Sequence, residues 1–431
     1  MSLAGFLMEH GCPTHRLEQV VVMTAELHEV RAEVFAVPTG LWMSLNLPNG
    51  EVNTRMLRVH TWTVDLGALS AADEVFNEVM DRRLSLQAGC DRLAELRAAR
   101  RGPGPWGAAL AGLVASASAS LLFGGRWLEA LAGGVLGGTA LALGAWLGRN
   151  RSTRLLMDFA FGALAGFGSG GVVLLAESLS LPVEPKAVLL SGLIVFVPGL
   201  TLTAGLSELA HKNLVSGTAR LLDAIVVLLL LLSGVAGALA ILPPVGASAL
   251  PHAQLDPLML LGLQSAAILC AGGGFLALFA VPRGQWVWVL LGCLLAFGGE
   301  RLGSTLLKHA AAGAFAGTLC LGLYANMLAR IRQRPAQVFL VPGLVLLVPG
   351  AFGFISFGQL LRGEVAGGVS GVFTTLVVAS ALVLGLLVAN AALPSRKVPL
   401  AARLRPPAPR CAAQAAANVT SAPPRARPDV G

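Results

Sequence analysis

Charge is what this chain has least of. Only 13% of its 431 residues are Asp, Glu, Lys or Arg, while 55% are hydrophobic, and its mean hydropathy is +0.73. A water-soluble protein of this length does not carry that balance. The scarcity is also uneven. Residues 105 to 393 hold nine acids in 289 positions, whereas residues 1 to 104 hold 13 of the 23. So long a stretch with so few charges excludes an aqueous surface and points to lipid.

Other absences narrow the chemistry. None of the six cysteines forms a CxxC pair and three lie within apolar runs, so they read as free thiols with no zinc site and no disulfide framework. HExxH, GxSxG and GxxxxGK[ST] do not occur. This gives no reason to expect an enzyme, a cofactor, a metal or ATP-driven work. The net charge of +8 is not a nucleic-acid signal, because many basic residues flank apolar spans or fall in the last 38 positions. The opening MSLAGFLMEHGC has no basic n-region, and Glu9 and His10 interrupt it at once. It is not expected to act as a signal peptide.

What is present divides into three regions. Residues 1–104 read as a small soluble α+β domain. PTHRLEQVVVMTAELHEV has helical periodicity. AEVFAVPTGLWMSLNL reads as two strands bent at Pro38-Thr39-Gly40, and EVNTRMLRV as a third. Two further helices follow, the second starting near Ser85, and GPGP at 102–105 closes the region. Residues 105–393 read as a polytopic α-helical membrane domain of about ten spans, near 106–123, 127–148, 155–178, 186–206, 218–242, 256–280, 285–300, 304–329, 336–357 and 366–393. Residues 394–431, rich in Pro, Ala and Arg, read as a disordered tail. With the amino terminus inside, the inner loops hold nine Lys and Arg against five outside. Both termini are therefore expected in the cytoplasm and the membrane part in the inner (plasma) membrane.

A self-similarity at an offset of 151 organises the membrane part. Val197-Pro198-Gly199 falls on Val348-Pro349-Gly350, Leu209 on Leu360, Gly217 on Gly368, and GALAG at 162–166 on GAFAG at 313–317. Halves of about 105–245 and 256–393, with five spans each, would be related by inversion, because an odd number of crossings sends the second half in from the other side. The fourth and ninth spans would then run in opposite directions with their Pro-Gly breaks facing each other.

Pro198, Gly199, Pro342, Gly343, Pro349 and Gly350 are the candidate substrate-binding positions. Proline and glycine in a span are either a kink absorbed by neighbouring helices or an unwound segment whose free amides and carbonyls hold a zwitterion. Pro342 and Pro349, seven apart, would share a helical face. Asp158, Asp223, Glu208 and His211 are the candidate proton-coupling groups, since ionisable groups at membrane depth are rare. Each has a simpler reading. Asp223 would pair with Arg220, and Asp158 with Arg154. Glu208 and His211 would form a solvated loop after the fourth span.

The segments EHGCPTHRLEQ, VFAVPTGLWMSL, RVHTWTVDLGALS, VPGLTLTAGLSEL and HKNLVSGTARLLDA together resemble the threonine/serine exporter family over roughly residues 3 to 393. His15 stands where a small polar residue is expected before the arginine. The resemblance implies a secondary transporter, here an antiporter, that exports threonine and serine from the cytoplasm at the expense of the proton motive force. Its implied partners are the amino-acid substrate, protons and the bilayer, with no nucleic acid and with homo-oligomerisation left open. Relatives split over two subunits and linked to dicarboxylate export keep a dicarboxylate as the alternative substrate. A membrane sensor or assembly protein working through residues 1–104 is the alternative outside transport.

Overall fold

A tight turn joins the first two of three amino-terminal strands. In the computed structural model, β1 (Arg31–Val37), β2 (Gly40–Asn46) and β3 (Val52–Arg58) make an antiparallel meander in the order β1-β2-β3. Val37 pairs with Gly40 across the Pro38-Thr39 turn, and Gly40 with Arg58. Ala36, Leu41 and Met43 face inward. They pack with α1 (Ser2–Glu9), α2 (Thr14–Leu27), α3 (Leu66–Met80) and α4 (Leu86–Ala98) around Phe6, Leu17 and Phe76. Asp65 and Ser85 cap α3 and α4, their side-chain oxygens accepting from the amides of Ala68 and Ala88. The structure describes residues 1–47, 50–59, 63–99, 102–148, 151–242, 256–348 and 350–395. The tail expected at 394–431 therefore lies outside the described residues from 396 onward.

The apolar region is helical. In order come α5 (Pro105–Leu122), α6 (Trp127–Leu147), the single turn α7 (Arg151–Arg154), α8 (Met157–Ser178), α9 (Pro185–Leu193), α10 (Gly199–Ala210) and α11 (Leu214–Ile241). After the gap come α12 (Pro257–Leu278), α13 (Trp286–Leu307), α14 (Ala310–Arg332), α15 (Ala336–Leu347), α16 (Gly350–Leu361) and α17 (Val365–Ala392). Among the described residues, nine helical segments are long and apolar enough to cross a membrane, with Ala336–Leu361 counted as one. Lipid-facing side chains such as Leu222, Phe373 and Leu384 stay exposed on their surfaces.

Two expected boundaries move. The seventh span, expected to stop at residue 300, continues to Leu307, and the eighth begins at Ala310 rather than 304. Glu300 and Arg301 look like a loop in the sequence but lie within α13. The helix ends where Lys308 takes a left-handed φ of 53°. The fourth expected span is two helices. Its break starts at Ile194, earlier than the Val-Pro-Gly itself, because Pro198 has no amide to offer the carbonyl of Ile194 and disfavours helix at Val197. The amide of Phe196 reaches back to the carbonyl of Leu193 at 2.8 Å in a tighter turn. Pro342, by contrast, lies inside α15, which runs on to Leu347. The chain leaves the helix at Val348, one residue before the proline expected to share a helical face with Pro342. Pro349 itself lies outside the described residues.

The two halves are cut at matched places. Gly199–Ala210 and Gly350–Leu361 stand 151 positions apart at both ends, as do Leu214–Ile241 and Val365–Ala392. Packing repeats as well. A methyl carbon on Gly217 would sit 2.7 Å from Leu209 Cγ, and one on Gly368 would sit 2.6 Å from Leu360 Cγ. In both halves the long helix after the break lies tightly on the shorter one only because a glycine faces a leucine.

The amino-terminal region seats on three turns of the helical part. The amide of Leu66 donates to the carbonyl of Phe279 at 2.9 Å. Arg334 pairs with Glu74 and donates to Ser70 Oγ. Thr14 and His15 meet the turn between α10 and α11. These turns, near 211–213, 279–280 and 334, therefore lie at one end of the bundle. One hydrophobic core joins Leu17 and Phe76 to Leu276, Val289 and Phe339 without interruption.

Candidate functional site

The two broken helices meet at their breaks. A methyl carbon placed on Gly199 would stand 2.3 Å from Val348 Cγ1 and 3.4 Å from Gly350 Cα. One placed on Gly350 would stand 2.9 Å from Val197 Cγ1 and 3.5 Å from Gly199 Cα. Glycine at both positions lets the backbones come this close. Gly199 opens α10 and Gly350 opens α16, so two helix amino termini start from the same place, the amide of Gly199 itself donating to the carbonyl of Val197 at 2.8 Å. Thr203 Oγ1 donates to the carbonyl of Gly199 at 3.1 Å and ties off the first turn of α10. Pro198 is the residue just before α10. Pro342 and Gly343 are elsewhere. They are buried in α15, with Gly343 against Leu321 of α14.

The candidate ionisable groups divide in the same way. Glu208 is buried on α10, its side chain 3% exposed, and pairs with Arg220 of α11 at 3.1 Å. Ser216 Oγ donates to its other oxygen at 2.5 Å. The pair crosses two helices, and the Arg220 charge also acts on Asp223 three residues on. Arg154 donates to the carbonyl of Gly148 at 2.8 Å rather than to Asp158. Asp158 and Asp223 lie close enough on the packed helices α8 and α11 for their charges to interact. His211 ends α10, and its Nδ1 lies 2.7 Å from the carbonyl of Ser207.

His15 completes this cluster. Its ring stacks parallel on that of His211, with centroids 4.5 Å apart and an interplanar angle of 0°. Beside it, Asn213 Nδ2 donates to Thr14 Oγ1 at 3.1 Å. Burial, then His211 and Arg16, push the His15 pKa down to about 4. The ring is therefore neutral at ordinary pH, and two stacked imidazoles do not both need to carry charge. Cys12, also buried beside Arg220, has its thiol pushed up to about 12 and is unreactive. Glu18, raised by burial, accepts from the amide of Ala36 at 2.9 Å and holds β1 against α2.

Some of these residues were not legible as a site. Thr14, His15, Ser216 and Arg220 lie about 200 residues apart in two groups. Their only sequence signal was that both groups fell in the segments carrying the family resemblance. Glu129 turns out to have a structural task. Buried in α6, it accepts from the amides of Arg126 and Glu184, at 2.8 and 2.9 Å, and ties the starts of α6 and α9 together. Among the described residues, no group of three His, Cys, Asp or Glu is arranged to hold a metal ion.

Residues 1–242 match the sequence model of the threonine/serine exporter family. The chain belongs to the threonine/serine exporter family. A second model of the same description, threonine/serine exporter ThrE, matches residues 264–392. With nine apolar helical segments of spanning length, this member is a multi-pass membrane protein. It is similar to a threonine/serine exporter of Corynebacterium glutamicum, 24% identical over 281 residues, which cover 62% of this chain and 55% of that protein. It is also similar to pheromone-regulated membrane protein 10 of Candida albicans, 24% identical over 394 residues, 84% of this chain and 33% of that protein. An uncharacterized protein of Schizosaccharomyces pombe is 28% identical over 235 residues, 53% of this chain and 28% of that one. The chain thus spans a third or less of these two fungal relatives and about half of the bacterial exporter. No solved structure matches it.

Proposed function

We propose that this family member is a secondary exporter of threonine, serine or a similar small amino acid. Its membrane part has ten spans, with α9 and α10 together forming the fourth and α15 and α16 the ninth. The observation that carries the reading is the contact of Gly199 with Val348 and Gly350. Two broken helices that start from one point offer amides to a carboxylate and freed carbonyls to an ammonium, the two ends of an amino acid. Five spans per half put the halves in opposite orientations, and the matched boundaries of α10 with α16 and α11 with α17 favour that arrangement. The inner side is the one bearing the amino-terminal region, whose docking turns carry Lys212 and Arg334, in keeping with the positive-inside bias.

Proton coupling is assigned to Glu208, with His211, Asp158 and Asp223 at the same end of the bundle. Glu208 is the strongest of the four because it is the buried one and its partner Arg220 sits on a different helix. The position 151 residues later is Gln359, and Gly367 takes the place of Ser216. The charged pair thus belongs to one half only. A change in the angle between α10 and α11 separates Glu208 from Arg220, which links the pair to the opening of the site.

The test is flux in proteoliposomes. Labelled threonine or serine should move against its gradient when a pH difference is imposed, and a dicarboxylate should not compete. Absence of gradient-driven flux for both amino acids would remove the exporter reading. Reporter fusions after residues 180, 245 and 308 should all be external. A cytoplasmic reporter at 245 would break the inverted five-plus-five scheme while leaving transport intact.

A further inference from the structure

A cavity of about 300 Å³ lies inside the amino-terminal region, away from the broken helices. Its walls are the inner face of the sheet and the facing sides of α1 to α4, among them Leu3, Val21, Met43, Phe76, Val79 and Leu93. Protein interiors are packed to the density of organic crystals, with few voids larger than a water molecule. Apolar cavities of about 150 Å³ stay dry and accept benzene. This one is about twice that size.

We propose that it is a binding site for a medium-length aliphatic molecule, a chain of roughly ten carbons. The lining chooses the class. Phe76 is the one aromatic carbon ring in the wall, and apart from Ser2, Thr24, His28 and Cys90 the lining side chains are aliphatic or thioether, so flexible chains fit better than flat rings. Thr24 borders the cavity, but its hydroxyl is already donated to the carbonyl of Val20 at 2.7 Å. The polar groups left lie at the rim, where Ser2 and His28 are exposed. A polar head therefore stays at the mouth and the chain goes inside. Threonine and serine are excluded, since a zwitterion would lose its hydration there without gaining hydrogen bonds. The site is thus separate from transport in chemistry. It is connected to transport through α2, which walls the cavity with Val21 and Ala25 and meets the α10–α11 turn with Thr14 and His15.

Cys90 lies on the cavity wall as a partly buried free thiol, which makes it a reporter. The full chain is held in amphipol and treated with N-ethylmaleimide, and the alkylation rate of each cysteine is read by peptide mass spectrometry. Decanoate and 1-decanol are the probes. Both should slow alkylation of Cys90 by about five-fold or more as the site fills, by simple mass action, and leave Cys270 and Cys320 on the helix surfaces unaffected. Ala25→Phe, which fills the cavity from α2, should abolish the protection. Ala25→Leu serves in its place if the larger side chain prevents folding, as judged by the melting curve. An unchanged Cys90 rate with both probes up to their solubility limits would overturn the proposal. Equal protection in a folded cavity-filled variant would overturn it too.

Discussion

Gly199 and Gly350 lie back to back where the two broken helices begin, so close that a methyl group on Gly199 would enter Val348 at 2.3 Å. Contacts below 3 Å force a shift, and overpacking of this kind costs about 1–3 kcal/mol. Gly199→Ala should therefore push the two breaks apart. Threonine flux should fall on the order of ten-fold, which corresponds to about 1.4 kcal/mol on the barrier. Val348→Ala removes the atom in the way, so the double variant should regain flux relative to Gly199→Ala alone. Flux that is unchanged in the single variant would mean the contact is packing without function.

The Glu208–Arg220 pair gives a prediction in which stability and transport separate. Their side chains are 3% and 11% exposed. Removing one member of a buried pair typically costs about 3–5 kcal/mol, because the other charge is left unpaired. Arg220→Met should lower the melting midpoint more than Glu208→Gln, whose amide still accepts from Ser216 and matches Gln359 in the second half. Glu208→Gln should keep exchange of labelled for unlabelled substrate but lose stimulation by a pH gradient. Gradient stimulation that survives in Glu208→Gln would take this carboxylate out of the coupling.

Much of this could be read from residues, and the reasons it could not all be read are physical. Pro198 announced a break because proline denies an amide to the preceding turn. Pro342 carries the same triplet but is absorbed inside α15, where tight packing of Gly343 on Leu321 holds the helix together. Sequence alone does not contain that compensation. Glu300 and Arg301 suggested a loop because charges usually end a span, yet α13 carries them through its interior. The 151-residue offset was visible in glycine and leucine matches, and Leu209–Gly217 and Leu360–Gly368 proved to be contacting pairs. For Arg220, helical spacing points to Asp223 three residues on, while Glu208, twelve residues back on another helix, is brought to it only by the fold. His15 against His211 lies beyond any local rule.

That histidine pair makes stability depend on pH, with a sign fixed by the pKa shift. The His15 pKa falls from an ordinary 6.5 to about 4 in the folded protein, through burial first and then His211 and Arg16. The folded state therefore prefers the neutral ring. Its contribution is fully present above pH 6.5, shrinks as the pH falls toward 4, and is constant below that. The melting midpoint should drop between pH 7 and pH 5. In His15→Phe, which keeps the ring stack, the drop should be smaller. Glu18, raised by burial, works in the opposite direction, and comparing the variant with the parent cancels it. Parallel pH profiles for the two proteins would show that the His15 stack does not hold the amino-terminal region on α10 and α11.

Pro342 and Pro198 should respond oppositely to the same substitution. Proline inside a helix leaves the carbonyl four residues earlier without its amide and costs about 3 kcal/mol. For Pro342 that carbonyl belongs to Val338, itself fully buried. Pro342→Ala restores the amide in a helix that is already continuous, at the cost of a small void beside α14. Melting should rise or stay level, and flux should be retained. Pro198 stands between α9 and α10, where the chain has left the helix from Ile194 onward. Pro198→Ala gives this stretch the donor it needs to run on as one helix, and the amides that open α10 are then consumed internally. Melting should rise while flux falls, and the substrate concentration for half-maximal flux should increase. If flux collapses in Pro342→Ala and survives in Pro198→Ala, the binding role belongs to α15, and the break before Gly199 serves only to pack the helices.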